Sequence, residues 1–246
     1  DVVAKSSPDG YTLLVGADSL VVINPHLYAK MPFDPQTDLA PVASLVSNGF
    51  FLAINPSLPA QTFPEFIEYA RRANPPIQYA SGGNGSQHHL TMERLKARAG
   101  IDMVHIPYKS GAPATTATVA GEVAAMMSGT STAGQIRAGR LRALAYTGPQ
   151  RSKVLPEVPA IAEFYPDFTM TQWYGLFAPA GTPEPVVARL RAEVNKALVL
   201  PEIREKLRNA GGVEPWITSA EEFAAELRGE YAKYAKLVKE VGAKID

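Results

Sequence analysis

The sequence predicts an α/β protein built around a mainly parallel sheet. Between residues 50 and 146, short apolar runs alternate with helical stripes, joined by brief loops rich in Gly, Ser or Pro. In the last third of the chain, one long strand-like run gives way to almost continuous helix. No sequence repeat of fixed period is present, which disfavours a solenoid.

The elements follow in order. The turn signal Pro8-Asp9-Gly10 launches an apolar strand over residues 11–15, and a second strand over 50–54 closes at Asn55-Pro56. Thr62 and Glu65 have capping-box spacing, and Phe66, Ile67, Tyr69 and Ala70 continue as a helical stripe. Residues 77–80 return to strand, and the loop 81–86 leads into a helix over 87–98. The unit then repeats: strand 103–106, loop 107–111 and a helix through Val119; strand 122–127, loop 128–132 and a short helix to Gly139; strand 141–146. A long strand-like run over 168–178 carries Trp173 and Tyr174. Beyond it, Val187, Leu190, Val194 and Leu198 form one helical stripe, and Pro201 opens a short helix. Thr218 and Glu221 suggest a further capping box, before the stripe Phe223, Leu227, Tyr231, Tyr234, Val238 and Val241. A helical tail needs a sheet to pack on, and the first fifty residues hold the nearest unspent strand surface. The chain is therefore expected to leave one domain and return to it.

Composition narrows the function. In 246 residues, 24 Lys and Arg balance 24 Asp and Glu, so no basic field favours nucleic acid. Apolar residues at 46% and charged residues at 20% describe a globular chain rather than a disordered one. With no cysteine, a disulfide framework, thiolate zinc sites and a cysteine nucleophile are all excluded. No run reaches the ~20 apolar residues of a membrane span. The start, Asp1 to Lys5, does not resemble a signal peptide, and any targeting segment is expected to have been removed.

The strongest local motif is Ser81-Gly82-Gly83-Asn84-Gly85-Ser86, between a strand and a helix. Glycines allow close backbone approach, and a helix start favours an anion. A tight turn needing positive φ explains the same residues, and the lysine of a nucleotide-binding P-loop is missing. Gly129-Thr130-Ser131-Thr132-Ala133 half-resembles a hydrolase nucleophile elbow, but His26, His88, His89 and His105 all precede Ser131. Thr130 and Ser131 read instead as hydroxyl donors at a helix start, or as a turn cap. His89 and Glu93 share a helix face, yet with His88 they are too few for a metal site, so His89 is expected to orient the glycine-loop backbone or pack behind it. Gly16, Ala17, Asp18 and Ser19 form another polar loop, in which no partner makes Asp18 a base. These loops suit gripping a small anion without a catalytic set.

The chain also resembles a known family. The matching stretches are Pro8 through Leu14, Asn24-Pro25 with Leu27-Tyr28, Tyr79 through Ser86 with His89-Leu90, and Val104 through Lys109. They continue in Ala138 through Leu144, Leu155 through Pro159 and Trp173 through Pro183. In that order they resemble the Bug receptors, periplasmic solute-binding proteins of tripartite tricarboxylate transporters. The resemblance implies a two-domain Venus-flytrap fold with a small carboxylate in the interdomain cleft. Domain one would hold 1–53 and 175–246, and domain two 54–174. It implies ligand contacts from Gly16, Ala17, Asp18 and Ser19, from Ser81, Gly83, Asn84, Gly85, Ser86 and His89, and from Thr130 and Ser131, with Tyr108 and Lys109 nearby. No cofactor, metal or nucleic acid is implied. A monomeric periplasmic receptor working with membrane permease subunits is expected, and a serine hydrolase using Ser131 is the alternative. Two features depart from the family. Members begin with further strands and a binding loop before the equivalent of Asp1, so a form lacking the N-terminal part of domain one is expected. Ser128-Gly129 stands where relatives often carry Asp-Asn.

Overall fold

The computed structural model describes residues 1–209 and 213–244. The first half holds β1 (Leu14–Ala17), α1 (Asn24–Leu27), β2 (Leu39–Gly49), β3 (Phe51–Ile54), α2 (Phe63–Arg72), β4 (Ile77–Ser81) and α3 (Gln87–Ala99). Next come β5 (Met103–Pro107), α4 (Gly111–Ala120), β6 (Ala125–Ser128), α5 (Ala133–Arg137) and β7 (Arg142–Tyr146). The last third holds β8 (Thr171–Pro179), α6 (Glu184–Leu198), α7 (Pro201–Asn209), β9 (Glu214–Pro215) and α8 (Ala220–Val241).

The chain forms two compact units, Asp1–Ser47 with Gln172–Asp246, and Asn48–Thr171. These bounds differ from 53/54 and 174/175, because all of β3 pairs with β6 and β7 of the second unit.

The first unit contains a four-stranded sheet in the order β1-β8-β2-β9, with β1 antiparallel to β8 and β9 antiparallel to β2. The stripe of α6 packs on it: Val187, Leu190 and Val194 meet Val42, Ala43, Leu176 and Ala178. From α8, Phe223 sets its ring edge-on to Trp173 at 5.9 Å and to Trp216 at 5.7 Å. The helix α8 starts on a capping box one residue later than its spacing suggested. Ser219 Oγ accepts the Glu222 N–H at 3.1 Å, and Glu222 accepts the Ser219 N–H at 2.8 Å. Thr218 is occupied elsewhere, 2.8 Å from Ser44 Oγ.

Two further strands depart from expectation here. β1 lies later than residues 11–15, because Asp9 accepts the Tyr11 N–H in a bend that leaves Tyr11 92% exposed. β2 was not anticipated, although Leu39, Val42, Ala43 and Val46 supply its buried positions. Its inward residues do not alternate strictly, so the period-2 signal is blurred.

The second unit contains a five-stranded sheet in the order β5-β4-β6-β3-β7. β4 runs parallel to β5 and β6, while β3 runs antiparallel to both neighbours. The sheet is therefore mixed rather than uniformly parallel. All four β3 residues are fully buried, so their pattern carries no information on direction. Ala53, Ala80 and Met126 meet Ala114 and Ala117 of α4 on one face. The small side chains let that helix lie close. At α2, Thr62 Oγ1 accepts the Glu65 N–H at 3.3 Å as expected, but Glu65 reaches back to the Gln61 N–H at 2.7 Å. Among the described residues, no helix is long and apolar enough to cross a membrane.

Candidate functional site

Strand direction decides where the polar loops of the second unit fall. β4, β5 and β6 are adjacent and parallel, so the loops at 81–86, 108–110 and 129–132 all leave the same edge of the sheet. That edge, beyond the carboxyl ends of the strands, is where open α/β sheets present ligand-binding residues. The loops touch: the Tyr108 N–H donates to Ser81 O at 3.0 Å. Gly82 lies so close to the neighbouring loop that a Cβ would sit 3.2 Å from Gly111 N and from His88 Nδ1. Gly85 has φ +71° and Gly83 φ +117°, which side chains rarely tolerate. Turn geometry and close approach thus both operate in this loop.

A buried polar network shapes the loop from behind. Ser81 is fully buried, and its Oγ lies 2.6 Å from His105 Nε2 while accepting the Gly83 N–H at 3.0 Å. His89 Nδ1 accepts the Gly85 N–H at 3.1 Å, and Ser86 Oγ caps α3 by accepting the His89 N–H at 3.3 Å. The rings of His89 and His105 stack 3.9 Å apart. Tyr79 stacks on His105 at 5.0 Å and donates its hydroxyl to Glu93, which pairs with Lys96 at 2.8 Å. Burial pushes His105 down to about 4, reinforced by the neighbouring His89, and pushes His89 below the usual imidazole range. His88 is also held down to about 4 by burial, its ring edge-on to Phe50 at 5.3 Å. Burial, and then the Glu93 carboxylate, raise the Tyr79 phenol, so it stays a donor. Burial thus favours the neutral form of both stacked rings.

The third loop is tied down through Thr132, whose Oγ1 donates to Gly129 O at 2.8 Å and lies 2.9 Å from Ser128 Oγ. Residues 130–132 form a 3₁₀ turn ahead of α5, with Thr130 buried and Ser131 exposed. Each histidine of this unit has its ring committed elsewhere, to Phe50, Gly85 or Ser81. Asn84 is exposed at the loop tip.

In the first unit, Gly16 and Ala17 end β1 and Asp18 caps a π-helical turn, Ser19–Ile23, so the anticipated loop is a strand-to-helix junction. Asp18 is fully buried; its carboxylate accepts the Ser19 N–H at 2.6 Å and the Trp173 N–H at 3.2 Å. Burial pushes it up to about 8 against the lowering effect of those two bonds. Ser19 is half-buried.

Sequence reasoning missed two contributors. His105 was named only as a histidine preceding Ser131 and within a matching stretch, although its place one strand over from Ser81 follows from the parallel register Tyr79↔His105. Thr147 also lay unnoticed. Its Oγ1 accepts the Phe50 N–H at 2.8 Å and donates to Met170 O at 2.6 Å, fixing the end of β3 beside β7. Only tertiary pairing signals that role. Among the described residues, no group of three or more His, Cys, Asp or Glu is placed to hold a metal ion.

Two α/β units with polar loops at strand ends match the fold of periplasmic solute-binding proteins of known structure. An R. palustris protein solved with adipate shares 30% identity and a TM-score of 0.83, covering 99% of this chain and 82% of that one. MatC from Rhodopseudomonas palustris with bound malate shares 29% and 0.77, covering 96% and 82%. The periplasmic binding protein BugD shares 29% and 0.78, covering 98% and 82%. A Pseudomonas sp. (strain P51) protein from the tcbD-tcbE intergenic region is 36% identical over 98% of this chain and 72% of its own length. Residues 1–243 match the tripartite tricarboxylate transporter family receptor model, and the chain belongs to that family.

Proposed function

We propose that this protein is a periplasmic receptor that captures a small carboxylate and delivers it to the membrane subunits of a tripartite transporter. The observation that carries this reading is the clustering of three polar loops on one sheet edge, one of them running into the capped start of α3. A helix start favours an anion by about 0.3–1 kcal/mol, and backbone amides can add hydrogen bonds without net charge. Relatives solved with adipate and malate support a dicarboxylate as the ligand.

The proposed contacts in the second unit are Ser81, Gly83, Asn84, Gly85, Ser86, His89, Thr130 and Ser131. Because Ser81 is buried and His89 is turned to the loop backbone, these two act through the loop's shape. Gly16, Ala17, Asp18 and Ser19 are proposed from the first unit, with Asp18 fixing the junction through its backbone bonds. A thermal-shift screen against a carboxylate panel that includes adipate and malate tests the reading. Binding raises the melting temperature by mass action. No response to any acid would sink it. Turnover of activated esters that disappears in Ser131→Ala would favour the hydrolase instead.

A further inference from the structure

Beneath the glycine loop, His89 of α3 and His105 of β5 stack with their planes 7° from parallel. Each ring controls a different part of the loop. His105 Nε2 holds Ser81 Oγ at 2.6 Å, and that oxygen accepts the Gly83 N–H at 3.0 Å. His89 Nδ1 accepts the Gly85 N–H at 3.1 Å. An accepting Nδ1 places the single proton of His89 on Nε2. A second proton would remove the acceptor and set one N–H against another. A charge on His105 would lie against its neighbour's ring face with centroids 3.9 Å apart. The charged and titratable groups around the pair are Glu93 and Lys96 on α3 and Tyr79 on β4. Glu93 favours protonation, whereas burial and Lys96 oppose it.

We propose that His105 is a positioning residue of the binding loop: by holding Ser81 and stacking on His89, it clamps Gly83 and Gly85 in their ligand-receiving arrangement while both rings are neutral. Acid therefore releases the clamp. The ligand half of this inference rests on the carboxylate reading, whereas the clamp itself does not.

The test uses the whole chain and three variants. His105→Phe keeps a stacking ring but loses the Ser81 contact. His105→Gln keeps a polar group for Ser81 but loses the ring. His89→Asn keeps an acceptor for Gly85 and cannot take a proton. Nuclear magnetic resonance first follows the Gly83 and Gly85 amides and the imidazole nitrogens without ligand, from about pH 7.5 to about pH 3. In the wild type the Gly85 amide moves with imidazole protonation, and in His89→Asn it no longer does. His105→Phe frees Ser81 Oγ, the acceptor of the Gly83 N–H, so Gly83 exchange rises about tenfold while Gly85 is less affected. His105→Gln does the reverse. Imidazoles that titrate while both amides stay fixed would overturn the proposal, and the wild-type titration decides this even if a variant does not fold.

Calorimetry with adipate and malate then measures affinity. Binding weakens about tenfold in His105→Phe, and the ratio of wild-type to His89→Asn affinity falls on acidification. Taking that ratio cancels the titration of the acids themselves. A constant ratio would also overturn the clamp's role in binding. If neither acid binds the wild type, the carboxylate reading fails, and the amide titration still decides the clamp.

Discussion

Asp18 Oδ2 accepts the backbone N–H of Trp173 at 3.2 Å, joining the end of β1 to β8 across 155 positions of sequence. The carboxylate is fully buried, and burial outweighs its two backbone bonds to raise it to about 8. In the unfolded chain the same group titrates near ~3.9. Between those values the folded state binds the extra proton, so this group makes stability fall as pH rises, by up to about 1.4 kcal/mol per pH unit. Asp18→Asn should remove that slope. Near pH 6, where the raised Asp18 is a neutral acid that the amide resembles, the change should cost less than about 1 kcal/mol. Urea unfolding across this range checks both, and a wild-type curve that is flat from near pH 6 to near pH 8 would contradict the assignment.

Thr147 links two strands through one hydroxyl, accepting from the Phe50 N–H and donating to Met170 O. Thr147→Val keeps the shape and leaves both backbone groups buried without a partner. A loss of about 2–4 kcal/mol is expected, whereas Thr147→Ser should recover most of it. A smaller loss in Thr147→Val than in Thr147→Ser would mean that the methyl group, not the hydroxyl, matters.

At Gly85, φ of +71° is the backbone condition for the loop's second hydrogen bond to His89. Gly85→Ala should cost about 1–2 kcal/mol of stability through the left-handed conformation. Carboxylate affinity should drop more steeply than stability does, because the strained loop moves away from its ligand-receiving shape. Paired thermal melts and calorimetry separate the two effects.

Trp173 packs between Trp216 and Phe223, and among the described residues its buried Nε1 has no hydrogen-bond acceptor. Trp173→Ala should cost about 3–5 kcal/mol through the cavity it leaves. Trp173→Phe should cost less than half as much, since it deletes an unsatisfied donor along with some apolar area. Comparable losses in both variants would reveal a bond to Nε1.

Much of the second unit was legible in sequence because its signals are local. The runs at 77–80 and 103–106 and the helix at 87–98 lie within a residue or so of β4, β5 and α3. Glycine loops mark where the backbone must turn, so residues 81–86 stood out before any contact was known. β3 was visible as a strand, but its direction was not, because four buried residues look alike from either end. Asp18 looked like a polar loop residue, and only β8 arriving from 155 positions away turns it into a buried cap.

The sequence by itself determined the α/β class, the order of most elements, the glycine loop and, through ordered motifs, the receptor family. Those features depend on neighbours within a few residues, where periodicity and turn chemistry act. Only the tertiary structure decided the mixed sheet, the burial of Asp18 and the stacking of His89 on His105. Each depends on which strand lies beside which, and that register is set by burying side faces of distant segments together. His105 shows the difference most plainly, since a lone histidine in a strand becomes part of a loop clamp only once β5 pairs with β4.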